Sequence, residues 1–331
     1  MLQLQNNTEF TPAFSIFANE QCVDCLYIVV RATFELGSTL ILAEEQLPPQ
    51  QEMVYWGDPL NSSIKYAGDY HTPKPSTDVV LIGNGWSPDG NDVEQFDVSL
   101  SVAEKHKVLR LFGDRFWNKG KITAPMPFQS MPIVYELAYG GAHIIEGEDT
   151  EILVDERNPV GLGFRGKRSE SDMNGLSLPN IEDPSQLILN IGDESSPVGF
   201  GYISPAWVPR KAYAGTYDDA WHKTRAPYLP EDYNPSFMNS AHPDFIFDRY
   251  LAGGEDVYLH NLHPQGPINF KIPEYLLECQ VMFQSRIERP QVNLETVLIE
   301  PDEERVSLVW RAEVPCDKEA LAIHQIKIGY Q

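Results

Sequence analysis

The segment 197-PVGFGYISPAWVPRKAYAGTYDDAWHKTRAPYLPEDYN-234 limits the fold more than any other part of the chain. Tyr202, Trp207, Tyr213, Tyr217, Trp221, Tyr228 and Tyr233 are interleaved with Pro205, Pro209, Pro227, Pro230 and, just beyond, Pro235. Proline has no amide hydrogen to donate, so the segment is neither a long helix nor a central strand. It predicts an irregular surface held in shape. Aromatic rings on a backbone with few accessible conformations offer large contact area at low entropic cost, which is what a protein-docking surface requires. Trp207, Arg210, Tyr213, Tyr217, Trp221 and Tyr228 are the expected partner-binding anchors. The competing reading is that these rings fill the core beneath long loops.

The 331 residues, 42% hydrophobic and 22% charged, place the chain among ordinary globular proteins of one or two domains. Forty-eight acidic against 25 basic residues give a net charge of −23, a field that repels phosphate backbones and anionic lipid surfaces. Nucleic-acid and membrane partners are therefore disfavoured, and a basic protein partner is compatible. The densest acidic block, Glu146, Glu148, Asp149, Glu151, Asp155 and Glu156, reads as a solvated loop. Residues 1–14 have neither the basic nor the apolar region of an export signal, and the longest apolar run, Cys25 to Val30, is far too short for a membrane helix. A cytoplasmic location is the expectation.

The regular structure legible in the sequence is β. Apolar runs flank Gly37-Ser38 in 25–43, which predicts a hairpin with a two-residue turn. A second hairpin is expected over 93–117, with Phe96, Val98, Leu100 and Val102 on its buried face and AEKH as the turn. A third spans 291–315, with PDEE as the turn and Val306, Leu308, Trp310, Ala312 and Val314 on one face. Shorter strands are expected at 78–83, 132–139, 256–262, 268–272, 276–283 and 322–328, and short helices at 184–189 and 217–224. The fold class is mainly β, with antiparallel hairpins forming a sandwich-like scaffold. One unit spans 1–331: a β-rich part over 1–140, a long irregular insert over 141–253 rich in Pro, Gly and aromatics, and a second β-rich part over 254–331. The insert contains one internal echo, 159-PVGLGF-164 and 197-PVGFGY-202, read as two matching tight turns.

No chemistry-bearing motif is assembled. Gly161, Gly163 and Gly166 lack the strand and helix of a phosphate-binding loop, and 85-GWSPDG-90 misses the spacing of a nucleophile elbow. His260 and His263 are three apart at a strand end, which puts the rings on opposite faces; the other six histidines are scattered. Cys22 and Cys25 form a lone CxxC, with Cys279 and Cys316 far downstream, so reduced, partly buried thiols are expected rather than zinc or a redox pair. No cofactor, metal or catalytic residue is assigned. The enzyme class hardest to exclude is a carbohydrate-active hydrolase, whose two carboxylates need no local motif; Asp114, Glu136, Asp218, Asp219 and Asp244 are candidates. Arg31, Arg115 and Arg311, set in apolar strings, and the Lys74/Asp78 pair read as structural pins.

Taken in order, the strings VVRATFEL (29–36), PKPSTDVVLIGNGWSP (73–88), LFGDRFW (111–117), MPIVYELAYGG (131–141), NPVGLGF (158–164), LPNIEDP (178–184), PVGFGYISPAWVPR and YAGTYDDAW (197–221), FMNSAHPD (237–244) and EPDEERVSLVWRAEVP (300–315) cover nearly the whole chain. Their combination resembles a bacterial family first catalogued as a domain of unknown function, whose members are regarded as type VI secretion adaptors. The resemblance implies a non-enzymatic chaperone. Such an adaptor binds a secreted effector or its PAAR-repeat tip protein in the cytoplasm and helps mount it on the valine-glycine-repeat spike. It supplies no catalytic residues. The CVDC string before the first predicted strand departs from the family pattern.

Overall fold

The computed structural model describes residues 2–147 and 149–331, so Met1 and Glu148 lie outside the described residues. The chain is mainly β, and three sheets carry the fold. The largest has the order Thr11–Ala18, Asp24–Glu35, Arg305–Pro315, Asn293–Glu300, Asp78–Leu81, with Ile41–Leu42 added beside Asp24–Glu35. The second runs Ile181–Glu182, Lys105–Phe112, Gln95–Val102, Asp256–His260, Ile268–Lys271, and the third Gln3–Asn6, Ile323–Tyr330, Leu277–Phe283, Ile287–Glu288. Strands from the two ends of the chain are thus paired side by side, Cys25 opposite Pro315 and Glu35 opposite Arg305.

Asp24–Glu35 is buried from Cys25 to Phe34 because its two faces have different work. Leu26, Ile28, Val30, Ala32 and Phe34 join Val306, Leu308, Trp310, Ala312 and Val314 in one contiguous core, which also takes Val98, Leu100, Leu109 and Leu111 from the second sheet and Leu277, Val281, Ile326 and Ile328 from the third. The opposite face sets Cys25, Tyr27 and Val29 beside buried polar and charged groups. Arg31 donates to Ser307 Oγ (3.0 Å), Arg311 to Glu295 Oε2 and the Asp69 carbonyl (both 2.7 Å), and Lys74 to Asp78 Oδ2 (2.7 Å) and Thr296 Oγ1 (2.8 Å). Arg115 ion-pairs with Glu182 and donates to the Pro179 carbonyl (2.7 Å). The four cationic pins expected from the sequence hold strands and loops together as anticipated.

Asp78 connects this network to the insert. Its carboxylate also accepts from Asn239 Nδ2 (2.8 Å) and from the Ser240 amide (2.7 Å). Buried ions of this kind are costly to leave unpaired, so the end of the insert is fixed to the main sheet by the same group that neutralises Lys74. Ile181–Glu182 pairs with Lys105–Phe112, and Leu81 donates its amide to the Phe200 carbonyl (2.9 Å). The insert is woven into the scaffold at both places.

Several expectations are corrected. The hairpin over 25–43 turns through Leu36–Leu40 rather than two residues, and only Ile41–Leu42 returns along it; the long partners of Asp24–Glu35 are Thr11–Ala18 and Arg305–Pro315. In the hairpin over 93–117 the turn shrinks to Ala103-Glu104, with Ala103 at φ 50°. The Arg305–Pro315 strand is buried on both faces, not one. Residues 132–139 form a turn of 3-10 helix, Tyr135–Leu137, between short strands, and 184–189 is a turn; the helix expected over 217–224 is present as Asp219–Thr224. Glu146, Asp149 and Glu151 are exposed, but Asp155 is buried against Arg157 (2.6 Å), and Glu151 belongs to a strand, Glu151–Val154, paired with Ala142–Ile145. The two echo turns do not match. Gly163 takes φ 88° beside Tyr139, whereas Phe200 and Tyr202 enter the main core.

Candidate functional site

Residues 208–238 form a lobe outside the main core. It contains the one α-helix among the described residues, Asp219–Thr224. Asp218 starts it by accepting the Trp221 amide (2.8 Å), the role a short acidic side chain plays at a helix N-cap. The lobe is closed on itself by hydrogen bonds. Trp221 Nε1 donates to the Tyr228 carbonyl (2.8 Å), Thr216 donates its amide and hydroxyl to Asp232 (2.9 and 2.7 Å), and Asn234 donates its amide to the Tyr213 carbonyl (3.0 Å). Gly215 makes the entry turn possible: at φ 80°, a Cβ would stand 2.9 Å from Pro230 Cβ.

Two arginines tie the lobe down. Arg225 donates to the Leu229 carbonyl (2.8 Å) and, across to the N-terminal part, to the Glu20 carbonyl (2.6 Å). Arg210 reaches the Phe237 and Ile203 carbonyls (2.7 and 2.8 Å), and burial pulls its guanidinium down to about 10. Arg210 is therefore a strut of the lobe. Its donors are turned inward to carbonyls, which corrects its assignment as an anchor.

The rings divide into two sets. Trp207 is 5% exposed and stands edge-on to Tyr135 at 5.7 Å, with Tyr202 in the same core, and Tyr233 is buried within the lobe. Trp207 leaves the anchor set because the residues before Val208 still belong to the scaffold, so this ring fills the core, as the competing reading had it. Tyr213, Tyr217 and Tyr228 are exposed at 38%, 52% and 42%, and half-buried Trp221 meets Tyr217 in a T-shaped contact at 4.7 Å. A hollow of about 310 Å³ beside the helix is lined by Thr216, Trp221, Thr224, Arg225 and Asp232. Four of the six expected anchors are thus exposed or half-exposed on the lobe, with Tyr217, Trp221 and Tyr228 joined through the indole.

A cleft of about 510 Å³ lies at the root of the lobe and was not legible in the sequence. Lys107 from the second sheet, Asp183, Gln186 and Ser196 from the insert, Val208 and Pro209 from the lobe, and His242 and Asp244 line it. Lys107 Nζ bonds both Asp244 (2.5 Å) and Asp183 (3.3 Å). Burial pushes both carboxyls up, but the Ser185 bonds and Lys107 for Asp183, and Lys107 and His242 for Asp244, outweigh it and leave both below the usual carboxylate range. Burial pulls His242 down to about 4 against the attraction of Asp244.

The remaining candidates are not gathered. Asp114 accepts from Asn180 (3.0 Å), Glu136 from the Ser63 amide and hydroxyl (2.6 and 2.7 Å), Asp218 caps the helix and Asp219 is exposed in its first turn. Among the described residues no three His, Cys, Asp or Glu groups converge on a metal-sized site. Cys25, Cys279 and Cys316 are buried free thiols, and burial raises the first two to about 12. No helix is long and apolar enough to cross a membrane among the described residues.

A family model described as an uncharacterized protein conserved in bacteria (DUF2169) matches residues 21–311. The chain belongs to this family. The match runs from the turn before Asp24–Glu35 through the insert to Arg311, so the lobe and the cleft both lie inside the family's extent. No curated protein and no solved structure matches the chain.

Proposed function

We propose that this DUF2169 protein is a non-enzymatic adaptor that binds a type VI secretion effector or a PAAR-repeat tip protein and assists its loading onto the spike. The observation that carries the reading is the lobe: Tyr213, Tyr217 and Tyr228 are exposed and Trp221 is half-exposed on a backbone closed by its own hydrogen bonds. Rings prepared in this way lose little freedom on contact, which is how a small surface gains affinity. A net charge of −23 is compatible with a basic partner surface and unsuited to nucleic acid. The order of the family-like strings supports the secretion context, and a cytoplasmic location goes with it.

A second reading, a carbohydrate-active hydrolase, draws on Asp183 and Asp244 sharing one cleft. Such chemistry needs one carboxyl held protonated as general acid, and Lys107 keeps both in the ionised form. The adaptor reading is the stronger. Its test is affinity capture from the native bacterium with wild-type protein and with Tyr217→Ala and Trp221→Ala. The reading requires an effector or tip protein in the wild-type bound fraction and its depletion with either variant. A bound fraction without secretion cargo, or turnover of a polysaccharide abolished by Asp183→Asn, would overturn it.

A further inference from the structure

The edge of the main sheet offers a second docking surface. Thr11–Ala18 lies in register with Asp24–Glu35 over eight residue pairs, and no other strand pairs with it among the described residues. Its register identifies which amides are free. The Asn19 amide donates to the Val23 carbonyl (2.9 Å), making the pair next to Ala18 and Asp24 a hydrogen-bonded one. Antiparallel pairs alternate, so Ala13, Ser15 and Phe17 bond inward to Val29, Tyr27 and Cys25, whereas Pro12, Phe14, Ile16 and Ala18 direct their backbone groups outward. Pro12 fits this phase, since it has no amide to leave unpaired.

Sheet edges are ordinarily guarded by charge, by bulges or by cover. Charge and bulges are missing from this one, and Pro12 alone interrupts its row of amides. TPAFSIFA contains no charged residue, no register shift interrupts its pairing, and Phe14 and Ile16 are exposed at 37% and 40%. The acids stand at its two ends: Glu9 and Asp24 are exposed and Glu20 is partly so. Arg225 of the lobe reaches the Glu20 carbonyl, so the edge ends where the lobe begins.

We infer that the Thr11–Ala18 edge takes up an extended segment of a partner protein as an added strand, a segment with apolar alternation and Lys or Arg at its ends. Three outward amides, Phe14, Ile16 and Ala18, with their carbonyls, supply the main-chain bonds, and Phe14 and Ile16 supply side-chain contact. The acids at each end select basic flanks. A second copy of this chain is the poorer occupant, because each copy carries −23 and would bring the same acidic ends alongside. This surface is distinct from the lobe and stands or falls separately.

The probe is a short fluorescent peptide of alternating valine and threonine with a lysine at each end. Its controls are a glutamate-ended version and a lysine-ended version N-methylated at alternate amides. The lysine-ended peptide is expected to bind, and saturation to slow amide exchange of Phe14, Ile16 and Ala18 about tenfold or more. The N-methylated peptide should bind about tenfold more weakly, having lost main-chain bonds without losing charge. Ile16→Lys should abolish binding, and Trp221→Ala should leave it unchanged. Equal binding of the N-methylated peptide, or binding that leaves those three amides exchanging freely, would overturn the inference. So would sedimentation as a dimer with Phe14, Ile16 and Ala18 already protected in the absence of peptide.

Discussion

Truncating Trp207 and Trp221 separately to alanine sets the scaffold against the docking surface in one comparison. Trp207 is 5% exposed in the main core, edge-on to Tyr135. Removing roughly 200 Å² of buried ring at about 25 cal/mol/Å² gives about 5 kcal/mol, at the top of the roughly 3–5 kcal/mol range for large-to-small core substitutions. If the chain melts as one unit, an unfolding entropy of roughly 0.7 kcal/mol/K for 331 residues turns that into a midpoint lowered by about 4–7 °C. Trp221→Ala instead removes one bond to the Tyr228 carbonyl and the contact with Tyr217, both in the lobe. Those losses sum to about 1–3 kcal/mol, confined to the lobe, while partner affinity falls about tenfold or more, as expected for an aromatic anchor. Calorimetry gives the first quantity and titration of the captured partner the second. The reasoning fails if Trp207→Ala melts like wild type and loses the partner, or if Trp221→Ala lowers the midpoint as far as Trp207→Ala does.

Asp78→Asn should destabilise by about 3–5 kcal/mol, because it strands the Lys74 ammonium in the interior; chemical denaturation of the single variant and of Asp78→Asn with Lys74→Met, which should recover part of the loss, checks it. Stability should fall as pH drops from 6.5 toward 4. His242 stays neutral in the folded state down to about 4 while the unfolded chain takes up its proton near 6.5, which is worth at most about 3 kcal/mol. Asp183 and Asp244, depressed in the folded state, contribute above the ordinary carboxylate range and lose that contribution as pH falls through their lower folded values, extending the same slope. Melting His242→Asn, which retains an acceptor for the Asp244 amide, should show the flatter profile between 6.5 and 4. In a thiol-reagent titration Cys22 alone should react rapidly in the native protein, with Cys25, Cys279 and Cys316 appearing only on unfolding.

The hairpins over 93–117 and 291–315 were legible because local alternation and a short turn specify them. Thr11–Ala18 was not: it holds Pro12, it pairs with a strand buried on both faces, and nothing in eight residues announces an edge. The 25–43 hairpin was misplaced for the complementary reason, since a continuous apolar run signals a central strand whose main partner lies almost three hundred residues away. The cationic pins were readable from charges set in apolar strings. Trp207 and Trp221 look alike in sequence, each an indole among prolines, and differ only in which side of Val208 the scaffold ends. The Lys107, Asp183, Asp244 cleft draws on three distant segments, so no spacing could have shown it.

The most direct test of the docking surface is amide hydrogen exchange on the protein free and in complex with its captured native partner. The lobe account predicts slowed exchange concentrated in residues 213–228, with the buried main sheet unchanged. Protection confined to other surfaces, with 213–228 exchanging as in the free protein, would contradict it.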